Sequence, residues 1–271
     1  MDSLFIIIGG CMILGTLVGF MAGLLGIGGG LIVVPALLYL LPLVGIDEQY
    51  VLLLAIATSL ANMVLTSMSA VAAHHRRNNI SWDSAKVLVP GVIIGAISSG
   101  TIASLIPANH LQQLFAVFVI VMAVNMARPV KPKAQELCLP AKWKLFGITA
   151  VIAAISGMLG IGGGVMLVPL LCFFGFKMHR AVGLSSLMGL CVASAGSIGY
   201  VIAGWNVENL PEGTLGYIYL PALFGIAITS ILIAPLGVKA AMTWPTATLK
   251  KVFSVFLVCI GLELVFSSFG R

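Results

Sequence analysis

Three consecutive glycines occur twice in this chain, each time within a long apolar run. The first set lies in GLLGIGGGLIVVP, residues 23–35, and the second in a near copy, GMLGIGGGVMLVP, residues 157–169. Glycine adopts positive φ without strain and has no side chain, so a ligand can approach its amide closely. The pattern predicts two breaks in apolar helices, formed by Gly28, Gly29 and Gly30 and by Gly162, Gly163 and Gly164.

A short helix is predicted after each break, over Leu31 to Leu41 and over Val165 to Phe174. The first N–H groups of a helix have no partner within it, and its N-terminus carries about +0.5 charge. Such an end binds anions without a buried cation. No Lys or Arg lies deep in any apolar run of this chain, so a buried anion would have to be bound by backbone groups. If the two helix ends face one cavity, they form an anion site.

Polar side chains on two further predicted helices can complete this site. They are Thr58, Ser59 and Asn62 in the first half of the chain and Ser185 and Ser186 in the second. Two alternatives stay open. Buried hydroxyls also bond to the carbonyl four residues earlier, and glycines in membrane helices also serve close packing, as expected for Gly91-x-x-x-Gly95.

The elements that must position these residues are membrane helices. Hydrophobic residues make up 60% of the 271-residue chain and charged residues only 8%, against about 25% in a soluble domain. Apolar runs close to the ~20 residues that cross a bilayer recur along the sequence. The N-terminal run lacks the basic residues of a signal peptide, so we expect it to remain. We expect an all-α, multi-pass integral membrane protein surrounded by lipid.

Several other kinds of site are not expected. The five cysteines show no ligand spacing, which argues against a disulfide, a metal site or a cofactor. The basic residues lie in short loops, where they report orientation, so nucleic acid is not an expected partner. The segment Gly26-Ile27-Gly28 begins like a dinucleotide-binding motif, but Leu31 stands where the third glycine is needed.

Catalysis is not expected either. No His, Lys or acidic residue accompanies a Ser or Cys at helical spacing deep in a predicted span. A nucleophile without a base or a metal is inert. We therefore assign no catalytic residue and do not expect an enzyme.

The similarity of the two halves extends beyond the glycines. ATSL, residues 57–60, corresponds to LSSL, residues 184–187, and LQQLFAVF, from Leu111, corresponds to LKKVFSVF, from Leu249. The chain is predicted to contain two transmembrane repeats, residues 1–127 and 145–271, joined by a cytoplasmic linker, residues 128–144.

The basic residues indicate how the repeats are oriented. If each glycine-broken run is a hairpin that returns to the side it came from, all 14 basic residues except Arg271 lie in the cytoplasm. A single crossing at each break would place several of them outside, against the positive-inside rule. The hairpin arrangement makes the repeats inverted, as in many secondary transporters that bind substrate near the midplane.

The duplicated GxLGIGGGxxxVP motif and the stretch HRAVGLSSL, His179 to Leu187, resemble the TauE/SafE family of sulfite and organosulfonate exporters. The family motif corresponds here to Gly26, Gly28 to Gly30 and Pro35, and to Gly160, Gly162 to Gly164 and Pro169. Relatives often have Thr-Ser where this chain has Leu184-Ser185-Ser186. The resemblance implies export of small sulfur oxyanions across the bacterial inner membrane, driven by an ion gradient.

We therefore predict a secondary transporter that exports small sulfur-containing anions, sulfite or organosulfonates such as sulfoacetate. Transport would proceed by alternating access around a midplane anion site. The alternative is a passive anion channel with a glycine-lined pore. The sequence leaves open the identity of the anion, the coupling ion and the oligomeric state.

Overall fold

The computed structural model describes residues 2–25, 29–127, 140–243, 254–255 and 257–264, and these are mostly helical. The helices are α1 (Asp2–Leu25), α2 (Gly30–Leu40), α3 (Glu48–Arg76), α4 (Trp82–Leu105), α5 (Ala108–Ala127), α6 (Lys142–Met158), α7 (Gly164–Phe173), α8 (Met178–Gly204) and α9 (Leu220–Thr243). Residues 257–264 are also helical. A 3₁₀ helix, Pro42–Val44, follows α2.

Three helices in the described part of the chain are long and apolar enough to cross a bilayer. They are α3, α4 and the stretch His179–Gly204 of α8. Large apolar side chains on the outer surface, such as Ile94 (57% exposed), Val117 (58%) and Ile228 (55%), have no protein covering them. A water-soluble surface rarely presents so many apolar side chains. The outer surface fits lipid rather than water.

Both glycine clusters interrupt a helix at the predicted places. α2 begins at Gly30 and α7 at Gly164, so the two short helices agree with their predicted ranges to within one residue at each end. Leu40, at the end of α2, lies beside Gly10, so α2 runs back along α1. With 11 residues, α2 is about 16 Å long, roughly half the thickness of the hydrocarbon core.

Close contacts at small residues hold the helices together. α1 packs along α9, α4 packs against α6 and α8, and α3 packs on α8. A Cβ on Gly15 would overlap the Thr229 side chain of α9, and a Cβ on Gly91 would overlap Thr149 of α6. Both threonine hydroxyls donate to a carbonyl four residues earlier in their own helix. Gly91 and Gly95 therefore serve the close packing expected of them.

The connection between α8 and α9 contains a small antiparallel sheet, which the all-α prediction did not include. β1 (Thr214–Leu215) pairs with β2 (Ile218–Tyr219), and the turn between them contains Gly216 with a φ of +55°. The Tyr217 N–H donates to the Tyr200 carbonyl of α8 at 3.4 Å. Tyr217, Ile218 and Tyr219 are buried, so this connection folds into the helix bundle. The connection between α3 and α4, by contrast, comprises only residues 77–81.

Replacing Gly95 by Ala should destabilise the protein. The added Cβ would overlap the Ala150 carbonyl of α6 and push α4 away. We expect the free energy of unfolding to fall by about 1–3 kcal/mol, the usual cost of overpacking. Thermal unfolding in detergent, followed by intrinsic fluorescence, measures the change.

Gly147 on α6 is the matched control, because a Cβ there meets nothing within 4 Å. Gly147→Ala should leave the midpoint unchanged or raise it, since Ala favours the helix over Gly. An equal loss of stability in the two variants would contradict the contact at Gly95.

Candidate functional site

At both glycine clusters, the residue before the helix has the same backbone conformation. Gly29 precedes α2 with φ 75° and ψ −11°, and Gly163 precedes α7 with φ 74° and ψ −20°. Both residues are left-handed, a conformation that costs any residue with a Cβ about 1–2 kcal/mol. Glycine is therefore strongly favoured at both N-caps. Gly28, the first glycine of the predicted set, lies outside the described residues.

Some backbone amides at these helix starts already donate hydrogen bonds within the protein. The Gly29 carbonyl accepts the N–H of Ile32 at 3.0 Å, and the Gly163 carbonyl accepts the N–H of Met166 at 3.1 Å. Gly164 donates its N–H to the Gly162 carbonyl at 2.9 Å. The amides of Gly30, Leu31 and Val165 come before these first bonds of each helix, at the positions where a helix start leaves N–H groups without a partner in the helix.

The two clusters, 134 residues apart in sequence, touch in the structure. A Cβ on Gly30 would overlap the carbonyl oxygen of Gly160. The Ser59 hydroxyl donates to that same carbonyl at 3.0 Å, and it would lie 3.2 Å from the added Cβ. Ser59 belongs to the first half of the chain and Gly160 to the second. One buried hydrogen bond thus links α3 of the first half to the second break.

The two predicted serines of α8 have different partners. Ser185 donates to the carbonyl of Gly164, the first residue of α7, at 3.1 Å. Ser186 donates to the Val182 carbonyl of its own helix at 2.9 Å. Ser185 therefore lies at the second break, whereas the Ser186 hydroxyl takes the alternative, helix-internal bond.

Thr58 and Asn62 lie on α3 with Ser59 but have other surroundings. The hydroxyl of Thr58 accepts the backbone N–H of Tyr219 in β2 at 3.0 Å, so it faces the small sheet. Asn62 is fully buried, and neither its amide nitrogen nor its carbonyl oxygen has a hydrogen-bond partner. A buried amide without partners costs about 1–3 kcal/mol, and among the five predicted side chains Asn62 is the one with neither of its polar atoms paired.

Met63 also belongs to this site, although its side chain carried no sequence signal. A Cβ on Gly162 would overlap the Met63 sulfur, and a Cβ on Gly30 would lie 2.8 Å from its terminal methyl group. The spacing Ser59 to Met63 is one helical turn, which places both on the face of α3 that meets the breaks. That spacing was the only available signal, because methionine is an ordinary residue in apolar cores.

The described side chains that meet the breaks bring hydrogen-bond donors and no charge. They include the hydroxyls of Ser59 and Ser185 and the thioether of Met63, none of which ionises at neutral pH. In the described ranges, no three His, Cys, Asp or Glu residues come together to hold a metal ion. Buried N–H and O–H donors form stronger hydrogen bonds than they do in water. Chemically, such a set can bind an anion with several oxygen atoms.

Comparison with known proteins decides the family. A family model described as sulfite exporter TauE/SafE matches residues 11–264. The chain belongs to the TauE/SafE family. The match covers both GIGGG sequences and every described residue except 2–10.

Curated relatives of this TauE/SafE protein are named as transporters. A probable membrane transporter protein of Haemophilus influenzae is 35% identical over 256 residues, which cover 94% of this chain and 96% of the relative. Another probable membrane transporter protein, from Methanocaldococcus jannaschii, is 28% identical over 261 residues, which cover 94% of each chain. YunE of Bacillus subtilis, also a probable membrane transporter protein, is 23% identical over 94% of this chain and 96% of its own. No solved structure matches.

The family and the apolar helices together define the class of protein. This TauE/SafE member is a multi-pass membrane protein and a transporter, in keeping with relatives that are named as transporters and not as enzymes.

Replacing Gly162 by Ala tests the position of Met63. Gly162 (φ +65°) and Gly45 (φ +81°) are both left-handed, so Ala costs about 1–2 kcal/mol of backbone strain at either. A Cβ on Gly45 meets nothing within 4 Å, whereas at Gly162 it overlaps the Met63 sulfur. Thermal midpoints should therefore show that Gly162→Ala is the more destabilising, by about 1–3 kcal/mol. Equal losses would show that Met63 does not fill this space.

Proposed function

We propose that this protein is a secondary transporter that exports small sulfur-containing anions, sulfite or organosulfonates such as sulfoacetate, by alternating access. The observation that carries the proposal is the direct contact between the two glycine clusters at Gly30 and Gly160. Gly160 lies four residues before α7, and Met63 contacts both Gly30 and Gly162, so the starts of α2 and α7 face the same buried region. A paired set of helix ends is a binding site for an anion.

The chemistry of the site suits an oxyanion of sulfur. Sulfite and sulfonate groups carry three oxygens on one sulfur, and each oxygen accepts hydrogen bonds. The amides at the starts of α2 and α7 supply donors and the positive ends of two helix dipoles. Binding in this way needs no buried Lys or Arg. The printed description of the family as sulfite exporters agrees with this substrate class.

The substrate-binding residues we propose are those of the two clusters and the polar residues beside them: Gly28, Gly29, Gly30, Thr58, Ser59, Asn62, Gly162, Gly163, Gly164, Ser185 and Ser186. Asn62 contributes most among the side chains, since its amide has no other partner. Ser186 already donates its O–H to Val182, so it would contribute only after a rearrangement, whereas Thr58 accepts from Tyr219 and this bond does not use its own O–H.

We also propose that residues 1–127 and 145–271 are inverted repeats and that residues 128–144 form a cytoplasmic linker. The chain would lie in the bacterial inner membrane with its basic loops in the cytoplasm. This architecture gives alternating access a structural basis, because exchanging the conformations of two inverted repeats turns an outward-facing site inward.

A pair of exchanged contacts supports the repeats. Gly15 of α1 meets Thr229 of α9, whereas Thr149 of α6 meets Gly91 of α4. Gly15 and Thr149 are separated by 134 residues, as the glycine clusters are, and Gly91 and Thr229 by 138, as the first residues of α4 and α9 are. The same contact therefore occurs twice, with glycine and threonine exchanged between the helices.

Counterflow in proteoliposomes tests the function. Vesicles loaded with unlabelled sulfite or sulfoacetate should accumulate the labelled anion in a saturable manner, while sulfate and a neutral amino acid serve as controls. A passive channel lets labelled anion equilibrate without exchange. Equilibration without counterflow would therefore favour a channel, and no movement of any sulfur anion would refute the proposed substrate class.

Replacing Asn62 by Leu should separate stability from function. Leu has a similar volume and removes the buried amide, so we expect the free energy of unfolding to rise by about 1–3 kcal/mol. Counterflow should fall, because the anion loses a donor. Thermal midpoints and initial rates of counterflow measure the two effects.

Asn109 on α5 is exposed, so Asn109→Leu is the control and should change the free energy of unfolding by less than about 0.5 kcal/mol. If Asn62→Leu lowers stability and leaves transport intact, Asn62 has a structural role and no substrate role.

A further inference from the structure

Met63 fills the space in which an anion would meet the two helix ends. Its side chain is 2% exposed. The sulfur occupies the place where a Cβ on Gly162 would be, and the terminal methyl group lies 3.1 Å from the same point. That methyl group is also 2.8 Å from the Cβ position of Gly30, the first residue of α2. One thioether thus contacts the first residue of α2 and the glycine two residues before α7.

An oxyanion and the Met63 side chain cannot occupy this place together. A hydrogen bond from a backbone amide holds its oxygen acceptor at about 2.7–3.2 Å. The Met63 methyl group and sulfur already lie at contact distance from Gly30 and Gly162. The anion therefore reaches amides of both helix ends only after the thioether has moved.

A methionine is suited to such a movement. Its side chain is unbranched and has three rotatable bonds, so it can leave the space by a rotamer change that does not shift α3. The corresponding residue of the second half, 127 residues further on, is Leu190, which is branched and stiffer. The movable side chain is present in one half only.

We propose that the Met63 side chain blocks the anion site. Rotation of this side chain admits the anion between α2 and α7, and its volume limits the size of the anion that enters. This inference rests on the proposed function and adds to it a residue that determines specificity. Met63 acts by occupying the site when no anion is present.

Replacement of Met63 by Ala tests the size limit. The smaller side chain leaves room beside Gly30 and Gly162, so transport of sulfoacetate should rise relative to sulfite. We expect the ratio of the two counterflow rates to increase by about tenfold, the discrimination that one or two methylene groups provide in a pocket. An unchanged ratio in an active Met63→Ala protein overturns the inference.

Replacement of Met63 by Leu tests the rotation. Leu keeps the volume but is branched and has fewer rotatable bonds, so both anions should be exchanged more slowly, by about tenfold, with little change in their ratio. If Met63→Ala does not fold, Met63→Leu decides alone: rates equal to wild type for both anions would show that no side-chain rotation at this position limits transport.

Met122 of α5 provides the matched control, since it is also buried. Met122→Ala should lose packing energy like Met63→Ala but keep the wild-type ratio of sulfoacetate to sulfite. A ratio that changes equally in both variants would mean general loosening and would overturn the assignment. The two proposals fail differently: wild-type protein without counterflow refutes the proposed function, whereas active wild type with an unaltered Met63→Ala ratio refutes only the role of Met63.

Discussion

Non-helical backbone inside a membrane has to find its hydrogen-bond partners within the protein, because lipid offers none. The second break satisfies this requirement with neighbouring helices. The Gly160 carbonyl accepts from Ser59 of α3, the Gly164 carbonyl accepts from Ser185 of α8, and the Ile161 N–H donates to the Ser156 carbonyl of α6 at 3.1 Å. α3 and α8 therefore have to pass beside the breaks, and the rest of the bundle is arranged around these two long helices.

The same constraint explains why so many contacts in this bundle are made by small residues. Helices in lipid gain nothing from burying apolar surface against one another, so their association depends on close packing. At Gly100 and Gly199, α4 and α8 approach so closely that a Cβ on either residue would meet backbone atoms of the other helix. α4 and α8 therefore pack backbone to backbone at these glycines.

The sequence was sufficient for the features that depend on local chemistry. The two glycine clusters predicted both breaks, and the short helices that follow them begin and end within one residue of the predicted bounds. It was not sufficient for the polar side chains, because Ser59 and Ser186 stand at corresponding places in ATSL and LSSL and yet have different partners. Which hydroxyl meets a break depends on how the halves pack, which is a property of distant residues. The small sheet of β1 and β2 was missed since two-residue strands have too few residues to show alternation.

The two connections that close the ends of the bundle are unequal. Residues 77–81 form a short link in which the Asn79 carbonyl packs close to Gly183 of α8. Residues 205–219 form a folded piece that holds α3 through Tyr219 and α8 through Tyr217. Opening the bundle at one end breaks a different set of bonds from opening it at the other. In the alternating access that we propose, the two end states would therefore differ in stability, and the inward and outward fluxes measured at saturating anion would be unequal.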